Sequence, residues 1–419
     1  MKLEQALEKL FSLHQFGIKL GLDNIKNLLS YLGNPEKNLK AFHLAGSNGK
    51  GSTASFINSI LIEAGYKTGL YTSPHFVKFN ERIRVNGVMV DDDFVLSFME
   101  EMEDYIEKNS PTFFELTTAM AFKYFADNKV DYAVIETGLG GRLDATNVLN
   151  PLASIITTIS KEHTNILGDS LEKIAYEKGE IIKSGSKCFI GSLVSDAREV
   201  IQKKCKSVGV EFFELDSFLE INSEFVKLSS GDFHLQIYKT PLHGFHQLKN
   251  SALAVLSIQK TLNIVDKSLY NRAIENVIEN SGIQCRYEFT NITPDIIFDS
   301  AHNAEGVESF VKEFKGTHHR YKKKFLIFGV MKDKNLEEML GQLKNYFNEI
   351  YITTINYERA ATIEELEMTA GKLGIRITAL KEPVKFINDF KKEGENNCLV
   401  ILGSMYLLGK IKEDLLNNA

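Results

Sequence analysis

Short apolar runs rich in β-branched residues recur along the chain, separated by stretches in which apolar positions repeat every three or four residues. The first pattern predicts strands and the second amphipathic helices. Candidate strands are Ala41–Ala45, Tyr132–Glu136, Ala153–Thr158, Asp295–Asp299, Phe325–Gly329, Glu349–Thr353 and Cys398–Gly403. Candidate helices include Met1–Leu10, Ser52–Ala64, Gln247–Leu262, Ser268–Asn280 and Asn335–Asn348. The runs are apolar at nearly every position, as expected of parallel strands buried on both faces. Strand and helix alternating in this way predict an α/β fold with mostly parallel sheets. Phe212–Thr240 differs, reading as an antiparallel excursion. The break Ser281–Cys285 (SGIQC) marks a domain boundary, giving a larger domain 1–282 and a smaller one 283–419.

Composition narrows the function classes. The 419 residues carry 49 Lys plus Arg against 55 Asp plus Glu, a net charge of −6. That balance argues against a nucleic-acid partner, whose phosphates are met by Lys and Arg. The four cysteines, Cys188, Cys205, Cys285 and Cys398, form no C-x-x-C pair, so no zinc ribbon or redox motif is expected. The start MKLEQALEKL lacks an apolar signal region, and no apolar run reaches the roughly 18 residues of a membrane span. A cytoplasmic, non-membrane protein is expected.

The strongest chemical signal is Ala45–Ser52, AGSNGKGS, set after a strand and opening a helix. Gly46, Gly49 and Gly51 let the backbone approach a phosphate, and the helix start offers N–H groups to it. Lys50 suits the β/γ-phosphates and the Ser52 hydroxyl suits magnesium. The usual glycine five residues before Gly49 is Leu44, so the loop is a shortened variant. Asn128–Asp131 (NKVD) looks like a guanine-reading motif, but it precedes a strand instead of leaving a carboxyl end, so it reads as a solvated turn. Glu136 ends a strand and runs into the Gly-rich segment Thr137–Asn147, with Arg142, Asp144 and Asn147. Ser73 and His163 follow other strand ends. Ligands of open α/β sheets bind at such ends.

In this order AGSNGKGS, YTSPHF, ETGLGGRLDATN and FDSAHN resemble the folylpolyglutamate synthase/dihydrofolate synthase family of the Mur ligase superfamily. FNERI, GFHQLKN, GVMKDK and GSMYLLG add to the resemblance, which covers nearly the whole chain. It implies a P-loop ATPase domain with a mostly parallel sheet, joined to a smaller Rossmann-like domain. It implies an ATP-dependent ligase that adds L-glutamate to a folate, or to dihydropteroate, through an acyl phosphate. Ser47, Asn48, Gly49, Lys50, Gly51 and Ser52 would cradle ATP, with Asn250, Arg286 and Asp299 contacting it and His302 lining the site. Ser52, Ser73, Glu136 and His163 would bind Mg2+, and Lys178 would be carbamylated to serve as a further anionic ligand, so that Lys50, Lys178 and His302 carry the chemistry. Phe113, Phe114, Glu115, Leu143, Asp144 and Ala145 match segments near the pterin.

Three segments depart from the family pattern. The usual P-G-R near the boundary is Gln284-Cys285-Arg286, the D-H-T around the histidine is Glu162-His163-Thr164, and Lys19 stands where some bifunctional members have aspartate. The last argues against dihydropteroate. A non-catalytic nucleotide module would not need Lys178 as well as Lys50. A cell-wall Mur ligase would need more than the roughly 45 residues that precede the phosphate loop. The expected enzyme works as a monomer.

Overall fold

The computed structural model describes residues 2–17, 21–222, 224–355, 357–394 and 396–417. Lys19 lies outside them. The chain divides into two compact units. The first comprises Met1–His75, Phe79–Pro241 and Leu248–Ile283; the second comprises Phe76–Lys78, Leu242–Gln247 and Gln284–Ala419.

The strands of the first unit's main sheet are β1 (Ala41–Ala45), β2 (Thr68–Tyr71), β3 (Ile83–Val85), β4 (Val88–Met89), β5 (Tyr132–Glu136), β6 (Ala153–Ile156), β7 (Lys187–Ile190) and β8 (Glu211–Glu214). They lie in the order β4-β3-β2-β5-β1-β6-β7-β8. The six from β2 to β8 are parallel, and β3 and β4 form an antiparallel edge. Position in the sheet explains the pattern of residues. β1 lies between β5 and β6 and is buried along its whole length, so it tolerates no exposed polar group. β8 is an edge strand, half exposed, and reads EFFE. That mixture made 212–240 look wholly antiparallel; the antiparallel sheet begins later, as β9 (Leu219–Ile221), β10 (Val226–Ser230) and β11 (Phe233–Ile237).

Helix Lys50–Glu63, which follows β1, is buried from Ser52 to Leu61 and has apolar residues all round, as a helix enclosed by neighbours requires. A second buried helix, Phe113–Asp127, precedes β5. Asn128 and Lys129 form the turn before β5, where the Lys67 amide donates to the Asp131 carboxylate at 2.8 Å. The NKVD segment is therefore spent on a turn at the amino end of the sheet.

The second unit is built on β12 (Glu288–Asn291), β13 (Asp295–Asp299), β14 (Lys323–Phe328), β15 (Glu349–Ile352), β16 (Thr378–Ala379) and β17 (Asn397–Leu402), in the order β12-β13-β17-β14-β15-β16. Only β12 is antiparallel. Apolar clusters cover both faces of this sheet, one centred on Leu326 and Val400, the other on Ile327 and Leu399. Phe76, from a segment far earlier in the chain, packs with the second cluster, and its carbonyl leaves no room for a side chain at Gly409. Cys285 has φ +55°, the left-handed region that favours glycine, which gives a physical reason for glycine being the commoner residue there.

No helix among the described residues is long and apolar enough to cross a membrane. The four cysteines are buried and free.

Candidate active site

The carboxyl ends of β2, β5, β1 and β6, four adjacent parallel strands, bring the first group of candidate residues to one rim of the first unit. β1 ends in the phosphate loop. Gly49 has φ +85° and caps helix Lys50–Glu63; a side chain there would meet Asn250 Oδ1 at 2.8 Å. A side chain at Gly46 would overlap the Thr157 hydroxyl. Both glycines are therefore fixed by conformation and by space. The loop is held from the β6 side. Ser47 N donates to Thr158 O at 2.8 Å, Asn48 N to Thr158 Oγ1 at 2.9 Å, and Thr157 Oγ1 to Asn48 O at 2.7 Å. Ser160 N donates to Ser47 Oγ at 3.0 Å. Lys50 Nζ donates to Gly46 O at 2.7 Å and to Ser47 O at 3.3 Å, which holds the ammonium over the loop. The first helical turn, containing Gly51 and buried Ser52, directs its amide groups to the same mouth.

Glu136 closes β5, buried, and its Oε2 accepts from Ser73 N at 3.1 Å. Beyond β6, His163 has φ +46° and precedes the short helix Thr164–Leu167, whose Ile166 and Leu167 amides donate to its carbonyl. A left-handed non-glycine residue is strained, and such strain is concentrated at functional sites. Lys178 lies on helix Leu171–Gly179; it is 2% exposed, and its Nζ donates to Glu162 Oε1 at 2.8 Å. Burial would raise the Glu162 carboxyl, but the Lys178 and Lys50 charges hold it well below the usual carboxylate range. Burial pulls the Lys178 ammonium down, with Lys50 adding to that and Glu162 opposing it. Lys50, Glu162 and Lys178 thus share one electrostatic neighbourhood.

The Gly-rich loop after β5 packs onto the helix that carries Lys178. A side chain at Gly141 would meet Glu177 O at 2.7 Å and Lys178 O at 3.0 Å, so this close approach needs glycine. Arg142 N donates to Glu177 O at 2.8 Å, and Arg142 Nε pairs with Glu177 Oε1 at 3.0 Å. Inside the loop, the buried Asp144 carboxylate accepts from Gly138 N and Leu139 N, both at 2.9 Å, from Thr146 N at 3.0 Å, and from the Thr146 hydroxyl. Phe114 lies against the loop, 2.5 Å from where a side chain at Gly138 would start. Phe113 turns into a separate cluster. It stacks on His14 at 4.1 Å between centroids, meets Phe11 and Phe79, and carries Arg82 over its ring at 5.0 Å. Arg82 Nε donates to His75 Nδ1 at 2.8 Å. Burial and the Arg82 charge push that imidazole down to about 3, so it is neutral.

In the second unit the end of β13 gathers Asp299, Ser300, His302 and Arg286. Asp299 accepts from Tyr287 N and Ala301 N, both at 2.8 Å. Burial pushes its carboxyl up to about 6, against those bonds and the nearby Arg286. Arg286 Nη1 donates to Ser300 Oγ. His302 Nδ1 lies 2.9 Å from Ser300 O; only a protonated nitrogen can bond to a carbonyl, so Nδ1 carries a proton. At the ends of β14, β15 and β17 lies a small depression of about 10 Å³ lined by Gly329, Thr353, Thr354 and Ser404 among others. Ser404 is 3% exposed, and its hydroxyl has no hydrogen-bond partner among the described residues. It immediately precedes helix Met405–Asn417.

Two family models match the chain: the Mur ligase middle domain over residues 44–258, and the Mur ligase glutamate ligase domain over 285–405. The dihydrofolate synthase/folylpolyglutamate synthase of Bacillus subtilis is 34% identical over 418 residues, 96% of each chain. The chain belongs to the folylpolyglutamate synthase/dihydrofolate synthase family of Mur ligases. The fold agrees. The folylpolyglutamate synthase of Thermotoga maritima, 31% identical, superposes with a TM-score of 0.84 over 99% of this chain and 98% of that one. Escherichia coli FolC in complex with DHPP and ADP, 26% identical, reaches 0.88 over 100% and 98%. The chain is an ATP-dependent ligase.

In this ligase the phosphate loop, Ser73 and Glu136 lie at strand ends of one rim, with Asn250, Lys178 and Phe114 reaching the adjoining loops or residues from helices Phe245–Leu262, Leu171–Gly179 and Phe113–Asp127, while Arg286, Asp299 and His302 lie together at the end of β13. Two expected substrate residues have structural duties. Glu115 Oε2 accepts from Thr112 N at 2.8 Å and Glu115 N donates to Thr112 Oγ1 at 3.2 Å, a capping box. The T-x-x-E spacing signals it. Asp144 is engaged by its own loop, with Leu143 and Ala145 on either side. Sequence reasoning missed Thr157, Thr158 and Ser160, whose hydroxyls and amides fasten the phosphate loop. Hydroxyl residues at the end of the strand beside it were the available signal. Ser404 was quoted only within GSMYLLG, and its burial is not readable from sequence.

Proposed function

We propose that this ligase joins the amine of L-glutamate to the carboxylate of a folate, in the cytoplasm and as a monomer. The observation that carries this reading is Lys178, buried on Glu162 and electrostatically coupled to Lys50 of the phosphate loop. A nucleotide-binding module has no use for a second buried cation there. A folate carboxylate oxygen attacks the γ-phosphorus, the bond to the β–γ bridging oxygen breaks, and ADP leaves an acyl phosphate. The neutral amine of glutamate attacks the acyl carbon and gives up a proton as inorganic phosphate leaves. Lys50 and the amide groups of the first helical turn stabilise charge on the transferring phosphoryl group, usually the largest contribution in such a transfer.

Oxygen donors from Ser52, Ser73 and Glu136, with His163, suit Mg2+, which keeps several waters and takes the rest of its shell from phosphates. Bound there, Mg2+ would neutralise the phosphates. Carbamylation of Lys178 Nζ would add a further anionic oxygen ligand beside them. Phe114 and the Leu143–Ala145 segment offer an aromatic face and a tight loop to the folate ring. Ser404 and the start of helix Met405–Asn417 offer a hydroxyl and amide groups to a carboxylate of glutamate.

A substrate panel tests the reading. Purified protein with ATP, Mg2+ and glutamate should release ADP only when a folate is added, with a product heavier by one glutamyl residue. Equal ADP release without folate or glutamate rejects it. Dihydropteroate in the same panel decides whether the enzyme is bifunctional, as the name of the Bacillus subtilis relative describes that protein.

A further inference from the structure

His43, the third residue of β1, is fully buried in the sheet that carries the phosphate loop. Its Nε2 lies 2.8 Å from Thr146 Oγ1. Thr146 has one hydroxyl proton, and the short contact to Asp144 Oδ1 directs that proton to the carboxylate. Thr146 Oγ1 is then an acceptor, so the imidazole carries its proton on Nε2. Nδ1 is left bare and has no hydrogen-bond partner among the described residues. Burial, then the charge of Lys183, pushes the ring down to about 3, so it stays neutral.

The remaining residues of β1 are Ala, Phe, Leu and Ala. An apolar residue at position 43 would pack there without an unpaired nitrogen, and a buried polar atom without a partner destabilises a fold. Packing therefore does not account for this histidine. Its one bond does have a consequence further on. It fixes the Thr146 hydroxyl, Thr146 fixes Asp144 Oδ1, and Asp144 Oδ2 holds the amides of Gly138 and Leu139. The chain of bonds runs from the core of β1 to the tip of the neighbouring loop, where Phe114 packs on Gly138.

We propose that His43, acting through Thr146 and Asp144, is a positioning residue that shapes the Gly138–Ala145 loop for the folate. This rests on the reading of that loop and Phe114 as the folate-ring site. Steady-state KM for folate and for ATP should be measured in H43L, H43Q, T146V, the double variant H43L/T146V, and F114A. Loss of one hydrogen bond predicts a rise of about tenfold in folate KM for H43L, with ATP KM changed less than about twofold. H43Q, whose side-chain amide can donate near the Nε2 position, should recover most of that loss. The double variant should be no worse than T146V alone, since the two residues form one chain. An equal rise in both KM values, no rise in either, or additive losses in the double variant would overturn the inference. If H43L does not fold, the comparison of H43Q with T146V decides: T146V must raise folate KM selectively while H43Q does not. F114A tests the underlying reading separately. Unchanged folate KM in F114A rejects the folate-ring site, whereas a rise in F114A without one in H43L or T146V rejects only the role of His43.

Discussion

The carboxyl ends of the two parallel sheets handle their polar groups in opposite ways. In the first unit the phosphate loop is tied to β6 through Thr157, Thr158 and Ser160, and the adjacent loop is closed around Asp144. The buried charge pair of Lys178 with Glu162 is complete within the unit. In the second unit a small depression at the strand ends contains a buried serine hydroxyl with no partner among the described residues, and Asp299 is protonated far more readily than an ordinary aspartate. On the proposed function, the first rim would be shaped in advance for a constant group, the triphosphate, and the second would hold hydrogen-bonding capacity for an incoming amino acid. Preorganisation serves transition-state charge, and open capacity serves recognition.

The sharpest break of this contrast is Lys50→Ala. Lys50 is half-buried, and its Nζ bonds to carbonyls of its own loop, so turnover should fall at least about a thousandfold while the melting temperature moves by less than about 2 °C. A scanning-calorimetry trace without a cooperative transition would show that the loop also holds the fold. Lys178→Ala should lower kcat by about a hundredfold, within the range for a group aiding phosphoryl transfer. Added formate or acetate should restore part of that activity if a carbamate acts there, and full activity without rescue would remove Lys178 from the mechanism. Ser404→Ala leaves both loops of the first unit untouched. It should raise glutamate KM by about tenfold, the worth of one hydrogen bond to a charged group, with ATP KM unchanged; unchanged glutamate KM removes Ser404 from recognition.

The smallest effect is in acid stability, where the two rims should differ in sign. Glu162 titrates below its ordinary 4.5, so its contribution to stability is present above that pH and is lost as pH falls. Asp299 is pushed from 3.8 up to about 6. Between those values the folded carboxyl retains a proton that the unfolded one has released, so stability falls as pH rises through the window. Denaturant titrations from pH 3 to 7 should show Glu162→Gln flattening the acid-side loss and Asp299→Asn flattening the decline between about 4 and 6. Changes of the same sign in both variants would remove the contrast.

Much of the fold was legible because buried parallel strands are apolar at every position. β1, β5 and β13 fall where the sequence places them. β7 was not among the predicted strands, and β8, at an edge with mixed polarity, was read as part of the antiparallel stretch 212–240. The phosphate loop was legible because glycine, lysine and serine at those spacings answer to one chemistry. The clasp at Thr157 and Thr158 was not, since it depends on the register of β6 against β1, which no local pattern encodes. His43 was hidden for a related reason: one histidine inside an apolar strand gives no hint of a partner about a hundred residues away. Glu115 has a capping duty that its T-x-x-E spacing already signals, whereas the F-F-E-x-T-T resemblance carries the separate expectation of a place near the ring.

The second unit is assembled from three separated stretches of chain, Phe76–Lys78, Leu242–Gln247 and the residues from Gln284 onward. A gene cut after Ile283 therefore yields no autonomous cassette. The carboxyl-terminal fragment would lack Phe76, whose backbone seats on Gly409, and would present that apolar seam to water. Recombination between distant relatives at this single junction would mismatch two inserts at once.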